Sequence, residues 1–138
     1  MSWKDIKVVS SYIIAKYEID KLERTLPRSL QNYSDGEKWL STSERIIKLV
    51  SENIPSTSSK IVLLGMIRYL RCFYFWCVQD WNNVEIEVDE GLKEDKRSSI
   101  FYMIKGFCYL QPLVNLDNPM LNVVFSNEDM LNKKKLLN

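Results

Sequence analysis

Residues 60–81, KIVLLGMIRYLRCFYFWCVQDW, decide how the rest of the chain is read. Nearly every position is apolar or aromatic, apart from Arg68, Arg71 and the polar end at Gln79 and Asp80. A helix that is apolar nearly all round is expected to be buried, and about 20 such residues also suffice to cross a hydrocarbon core. The two arginines decide against the bilayer. Each would cost roughly 2.5–3.5 kcal/mol near its centre, and both lie near the middle of the run. The stretch therefore reads as the central helix of an all-α domain, with a membrane-associated helical protein as the alternative class.

Working outward toward the N-terminus, Pro55 and the Ser/Thr run at 56–59 form a connection, with Ser59 as the N-cap of the central helix. Ser41 and Glu44 make a capping-box pattern, and Ile46, Ile47, Leu49, Val50 and Ile54 follow it at helical spacing, so a helix is expected over 42–54. Residues 27–40, PRSLQNYSDGEKWL, combine turn chemistry with the anchors Leu30, Tyr33 and Trp39 and read as a structured loop. Before it, Ile6, Val9, Ile13, Tyr17 and Leu22 recur at threes, fours and fives between charged residues. That spacing predicts an amphipathic helix over 3–25, capped by Ser2, ended by Pro27 and buried along this stripe.

Toward the C-terminus, residues 82–97 carry two competing periods. Val84, Ile86 and Val88 alternate with acidic residues as a strand would, while Val84, Val88, Gly91 and Leu92 fit a helix stripe. A lone strand leaves its backbone groups unpaired, so helix is preferred. Ser98 or Ser99 caps a further helix, IFYMIKGFCYLQ, closed by Pro112. Beyond it an apolar stripe at Met120, Leu121, Val124 and Phe125, and a cap at Ser126 with Asp129, predict helices over 119–137 ending in three lysines.

Composition narrows the function. The 138 residues make one domain with 46% hydrophobic and 27% charged residues, so the chain is expected to fold with at most its ends left loose. A net charge of +1 lacks the basic footprint of phosphate-backbone binding, so nucleic acid is not an expected partner. Cys72, Cys77 and Cys108 lie in apolar segments, are odd in number and are not spaced as CxxC. They read as buried thiols of a reducing compartment rather than disulfides or a zinc site. The first residues lack the features of a secretory signal, which makes cytosol or nucleus the default expectation. With no histidine and four isolated glycines, Ser-His and Cys-His nucleophile pairs and phosphate loops are missing. No cofactor and no small-molecule substrate are expected.

Shifting the chain against itself by 34 places Ile67 on Phe101, Leu70 on Ile104, Cys72 on Gly106, Phe73 on Phe107, Phe75 on Tyr109 and Trp76 on Leu110. Tyr102, Gly106 and Tyr109 stand at the aromatic, glycine and tyrosine places of a 34-residue helical repeat, with Cys72 and Phe75 at the last two places one repeat earlier. In this the segment 65–111 resembles a tetratricopeptide repeat and the first helix of the next. Asp80-Trp81 looks like the family's inter-helix turn, and Val84, Val88 and Gly91 fall on its packing places. Arg68 and Arg71 depart from the pattern, standing where the family has Trp and Leu; Lys105 and Lys96 depart from it as well. An irregular bundle of 5–7 helices is the alternative. Small residues at Cys72, Gly91 and Gly106 are expected to let helices approach closely.

The resemblance implies a groove lined by the first helices of successive repeats, with Met66, Tyr69, Phe73 and Trp76 facing Ile100, Met103, Phe107 and Leu110. Such a surface suits an amphipathic helix or extended apolar segment of another protein, or the chain's own helix 3–25 folded over it, as in a family member with an N-terminal arm. The competing reading makes these residues plain core. Arg68 and Arg71 either pair with the acidic series Glu85, Glu87, Asp89, Glu90, Glu94 and Asp95 or face an acidic partner. The expected partner-binding set is thus Tyr69, Phe73, Trp76, Met103, Phe107, Arg68 and Arg71, in a non-enzymatic adaptor or complex subunit. Catalysis by paired carboxylates of the acidic series is the remaining alternative, disfavoured because nothing in the sequence encloses them.

Overall fold

The computed structural model describes residues 2–111, which form five helices and no strand: α1 Trp3–Ser29, α2 Tyr33–Asn53, α3 Ser58–Cys77, α4 Trp81–Glu94 and α5 Ser99–Leu110. The all-α class expected from the sequence holds. Residues 112–138, with the helices predicted at 119–137, lie outside the described residues. α1 packs on α2, α3 on α4 and α5 on α4, while α1 and α2 both touch α3. The contacts run antiparallel: Trp39 of α2 reaches back to Leu22 of α1, and Arg71 and Arg68 of α3 meet Glu87 and Glu94 of α4 respectively. Ile19, Ile46, Val50, Leu63, Ile67, Val84 and Val88 form the centre of the core, drawn from α1 to α4.

α1 runs past the expected end at 25 because Pro27 sits in its last turn on the exposed face. The carbonyl that the proline leaves without a partner belongs to Glu23, also exposed, where water can satisfy it. Leu30 N–H still closes on Leu26 O at 3.1 Å. The buried stripe is also not the expected one. Ser11, Ala15, Ile19, Leu22, Leu26 and Ser29 face the core, whereas Ile6, Val9, Ile13 and Tyr17 are exposed. Only Leu22 belongs to both sets.

α2 begins at Tyr33, eight residues before the expected cap, so most of the expected loop is helix. Asn32 caps it, its side chain accepting from Asp35 N–H at 2.8 Å, and Asp35 lies where the helix dipole favours an anion. Gly36, read from sequence as part of a turn, instead lets α2 approach α3: the Tyr74 hydroxyl occupies the space of a Cβ. Trp39 is buried, donating Nε1–H to Leu22 O at 2.9 Å and stacking on Tyr74 at 5.2 Å. Tyr33, expected as an anchor, is exposed.

Thr57, not Ser59, caps α3. The helix ends at Cys77 rather than 81, because Gln79 takes a left-handed conformation (φ 61°). Gln79 N–H then bonds Trp76 O at 3.0 Å and Asp80 N–H bonds Phe75 O at 2.9 Å, a Schellman closure. Asp80 caps α4, accepting from Asn83 N–H. Residues 84–88 are helical, with Val84, Glu87, Val88 and Gly91 buried at helical spacing. Gly91 is a close-approach position, where a Cβ would meet the Phe101 ring at 2.7 Å, but Gly106 has open space around it and brings no described helix near.

Candidate functional site

α3 has two faces. Leu63, Leu64, Ile67, Leu70, Tyr74 and Phe75 are buried, while Val62, Tyr69, Phe73 and Trp76 are exposed on a second stripe with Met66 half-buried between them. Among the described residues the stretch 60–81 is therefore not covered all round. The core takes one side, and of the described helices α5 approaches the other.

α5 supplies the facing surface. Its Phe101 and Ile104 are buried, while Ile100, Met103, Phe107 and Leu110 are exposed. Tyr69, Phe73 and Trp76 with Met103 and Phe107 line one cleft of about 180 Å³, floored by Cys72 and Ile104. Trp76 is fixed at its end, meeting Phe107 edge-on at 5.7 Å and Trp81 at 4.9 Å. A second hollow of about 350 Å³ continues the line past Tyr69 to Met66, Val62 and Ile100. Five of the expected partner-binding residues are thus brought together, half-exposed rather than core. The chain's own α1 does not lie in this cleft, which is lined by α3 and α5.

Cys72 stays a thiol here. Burial, then the charge of Glu87, push it up to about 12. Cys77 and Cys108 are likewise raised, burial being the first cause in each. None has the lowered value of a nucleophile.

Arg68 and Arg71 do not belong to the cleft. Arg71 is 6% exposed and Glu87 4%. Arg71 gives Nε–H to Glu87 Oε1 at 2.9 Å and holds the same oxygen through Nη2 at 2.7 Å, while Nη1 donates to Ser43 Oγ and Leu40 O. Its guanidinium also lies 5.6 Å from the Phe75 ring centre. Arg68 bonds the other Glu87 oxygen at 2.8 Å and Glu94 at 3.0 Å. Burial alone would lower the Arg68 pKa, but its hydrogen bonds to Glu94 and Glu87 and their charges outweigh this and raise it. The two arginines clamp α3 to α4 and, through Ser43, to α2; of the two readings open from the sequence, the structure shows pairing with the acidic series, through Glu87 and Glu94, in place of their membership of the partner-binding set.

Four of the six acidic residues, Glu87, Asp89, Glu90 and Glu94, are engaged in the same way. Glu87 and Glu94 serve the arginines, Asp89 accepts from Lys105 of α5 at 3.0 Å, and Glu90 from Lys93. Among the described residues no three His, Cys, Asp or Glu side chains converge as a metal-ligand set. Between α1 and α2 a polar cleft of about 290 Å³ mixes Lys21, Arg28, Lys38 and Arg45 with Glu18 and Asp35, so its field has no single sign.

Sequence reasoning singled out neither Ser43 nor the special place of Glu87 within its series. A signal existed for the second. Glu87 falls on the buried stripe between Val84 and Val88, where only a paired carboxylate is tolerated. Ser43 carried none, because a small polar residue on a buried face is common until a partner reaches it.

No family model matches the chain, and neither a curated protein nor a solved structure matches it. No described helix is long and apolar enough to cross a membrane.

Proposed function

We propose that this chain is a non-enzymatic interaction module, an adaptor or complex subunit that receives an amphipathic helix of another protein in the α3/α5 cleft. The observation that carries this is the convergence of Tyr69, Phe73, Trp76, Met103 and Phe107, large and half-exposed, on one apolar cleft. Soluble proteins seldom expose such contiguous surface without a use for it. From Val62 to Trp76 the exposed line runs about 21 Å at 1.5 Å per residue, the length over which an occupant helix presents anchors at i, i+3, i+4 and i+7. With Arg68 and Arg71 neutralised internally, recognition rests on apolar fit rather than charge. The tetratricopeptide reading is supported by the 34-residue echo and by the order of packing, in which α1 touches α3 and α3 meets α5 through Trp76 and Phe107.

The test compares proteins enriched from the native host by the intact chain and by Phe73→Asp, Phe107→Asp and Ile86→Asp, the last an exposed position of α4 outside the cleft. Partners lost with the first two and kept with the third are expected, all variants retaining the helical circular dichroism of the parent. Unfolding of Phe73→Asp and Phe107→Asp would make those residues core. A partner list unchanged by either would end the cleft reading.

A further inference from the structure

The face of α1 turned away from the core carries an apolar stripe of its own. Trp3, Ile6, Val9, Ile13 and Tyr17 follow one another at threes and fours and are all exposed, Trp3 to 80%. The packed face of the same helix runs through Ser11, Ala15, Ile19, Leu22 and Leu26. At about 100° per residue the two sets point to roughly opposite sides. A helix already packed on one side gains nothing in folding from a second apolar stripe, so this surface calls for an occupant.

The stripe is complementary to itself when reversed. Turned about Ser10, which is exposed and small, Trp3 comes opposite Tyr17 and Ile6 falls within one residue of Ile13, so aromatic ends meet aromatic ends and aliphatics fill the middle. Asp5 and Lys16 lie on the same edge of the stripe. In an antiparallel pair flanking residues of like edge face each other, which brings each Asp5, the capping-box partner of Ser2, within one residue of the other copy's Lys16, whose own-helix partner Asp20 is 3.8 Å away and exposed. On the opposite edge Lys7 comes beside Ile14, over which its methylene stem can lie.

We infer that α1 pairs antiparallel with the α1 of a second copy of this chain, crossing at Ser10, in an isologous dimer. The seam from Trp3 to Tyr17 is about 21 Å long. A single helix pair of that length falls below the roughly 800 Å² per partner of a standard interface, so the dimer is weak and reversible. Its residues are distinct from those of the α3/α5 cleft.

Sedimentation velocity on the full chain from about 1 to 200 µM spans the range of such an interface. A monomer–dimer equilibrium is expected, and Ile13→Asp is expected to abolish it with the helical signal intact. Asp5→Lys or Lys16→Glu alone should weaken it by about tenfold, and the two together should restore it. In a Cys77→Ser background, Ser10→Cys should form an intermolecular disulfide on mild oxidation and Ile13→Cys should not. A chain monomeric throughout overturns the inference, as does self-association indifferent to Ile13→Asp. Failure of the double swap to restore what the single swaps lose, or crosslinking at Ile13→Cys instead of Ser10→Cys, overturns the antiparallel pairing. Binding of the stripe to lipid vesicles by an otherwise monomeric chain would assign the surface elsewhere.

Discussion

Replacing Glu87 by Gln keeps the shape of the side chain and removes the charge on which two arginines converge. Oε1 holds Arg71 at 2.9 and 2.7 Å, and Oε2 holds Arg68 at 2.8 Å. The amide would keep one acceptor and turn an N–H₂ group toward a guanidinium. Arg68 retains Glu94, but Arg71, with its side chain 7% exposed, retains only neutral partners at hydrogen-bond distance and Glu44, which is 3.7 Å away and 70% exposed. Removing one partner of a buried pair costs about 3–5 kcal/mol. With the remaining partners the lower end, about 3 kcal/mol, is expected for Glu87→Gln. Against a total of roughly 5–15 kcal/mol for a domain, that is a large share and corresponds to a fall of roughly 10 °C in Tm. Urea unfolding followed by circular dichroism, with the slope m unchanged, measures it. Because desolvation opposes the pairing, Arg71→Leu with Glu87→Leu is expected to lose less than Glu87→Gln alone. A loss below about 1 kcal/mol for Glu87→Gln would place the cluster with solvent-exposed pairs and refute the account of the clamp.

Gln79 holds the left-handed position of the α3 closure, so Gln79→Gly is expected to stabilise the fold by about 0.5–1 kcal/mol, read from the urea midpoint. Gly91 of α4 and Gly106 of α5 should respond oppositely to alanine. Gly91→Ala forces a Cβ against the Phe101 ring at 2.7–3.0 Å and should cost about 1–3 kcal/mol, while Gly106→Ala enters open space on a helix and should gain about 0.5–1 kcal/mol. Cys72 gives a pH signature: its thiol ionises near 9.0 ordinarily and only near about 12 in the fold. Its contribution is complete below pH 9 and lost between pH 9 and 12 at about 1.4 kcal/mol per unit, since the unfolded thiol releases its proton first. The stability gap between the parent and Cys72→Ala should therefore narrow on going from pH 8 to pH 10.5; a constant gap would refute the burial of this thiol.

Much of the fold was legible locally. The all-α class, the helix at 42–54 with Pro55 behind it, a serine cap of α5 at Ser98 or Ser99 and the helical state of 84–88 all follow from apolar spacing and capping chemistry, which act within a few residues. The same local rules misplaced Pro27 and Ser34-Asp35-Gly36. They weigh a residue's preference without knowing that Pro27 faces water, or that Gly36 is small because Tyr74 stands against it. The five residues Tyr69, Phe73, Trp76, Met103 and Phe107 were named from the sequence as one surface, and they line one cleft; that they are exposed rather than core could not be read from spacing alone.

By itself the sequence determined the kind of element, the approximate ends and the presence of apolar stripes, because propensity, capping and periodicity are properties of short segments. Only the tertiary structure decided which stripe is core. Period fixes the spacing of apolar residues but not which face meets a neighbour. In α1, Ala15 and Ile19 were buried and the more conspicuous Ile6, Ile13 and Tyr17 left outside, because Ala15 and Ile19 share a face with Leu22 and Leu26 that meets α2 and α3. It also decided the fate of Arg68 and Arg71. A guanidinium on an apolar helix can be a binding residue or a clamp, and the difference lies in whether carboxylates from another helix arrive within 3 Å, as Glu87 and Glu94 do.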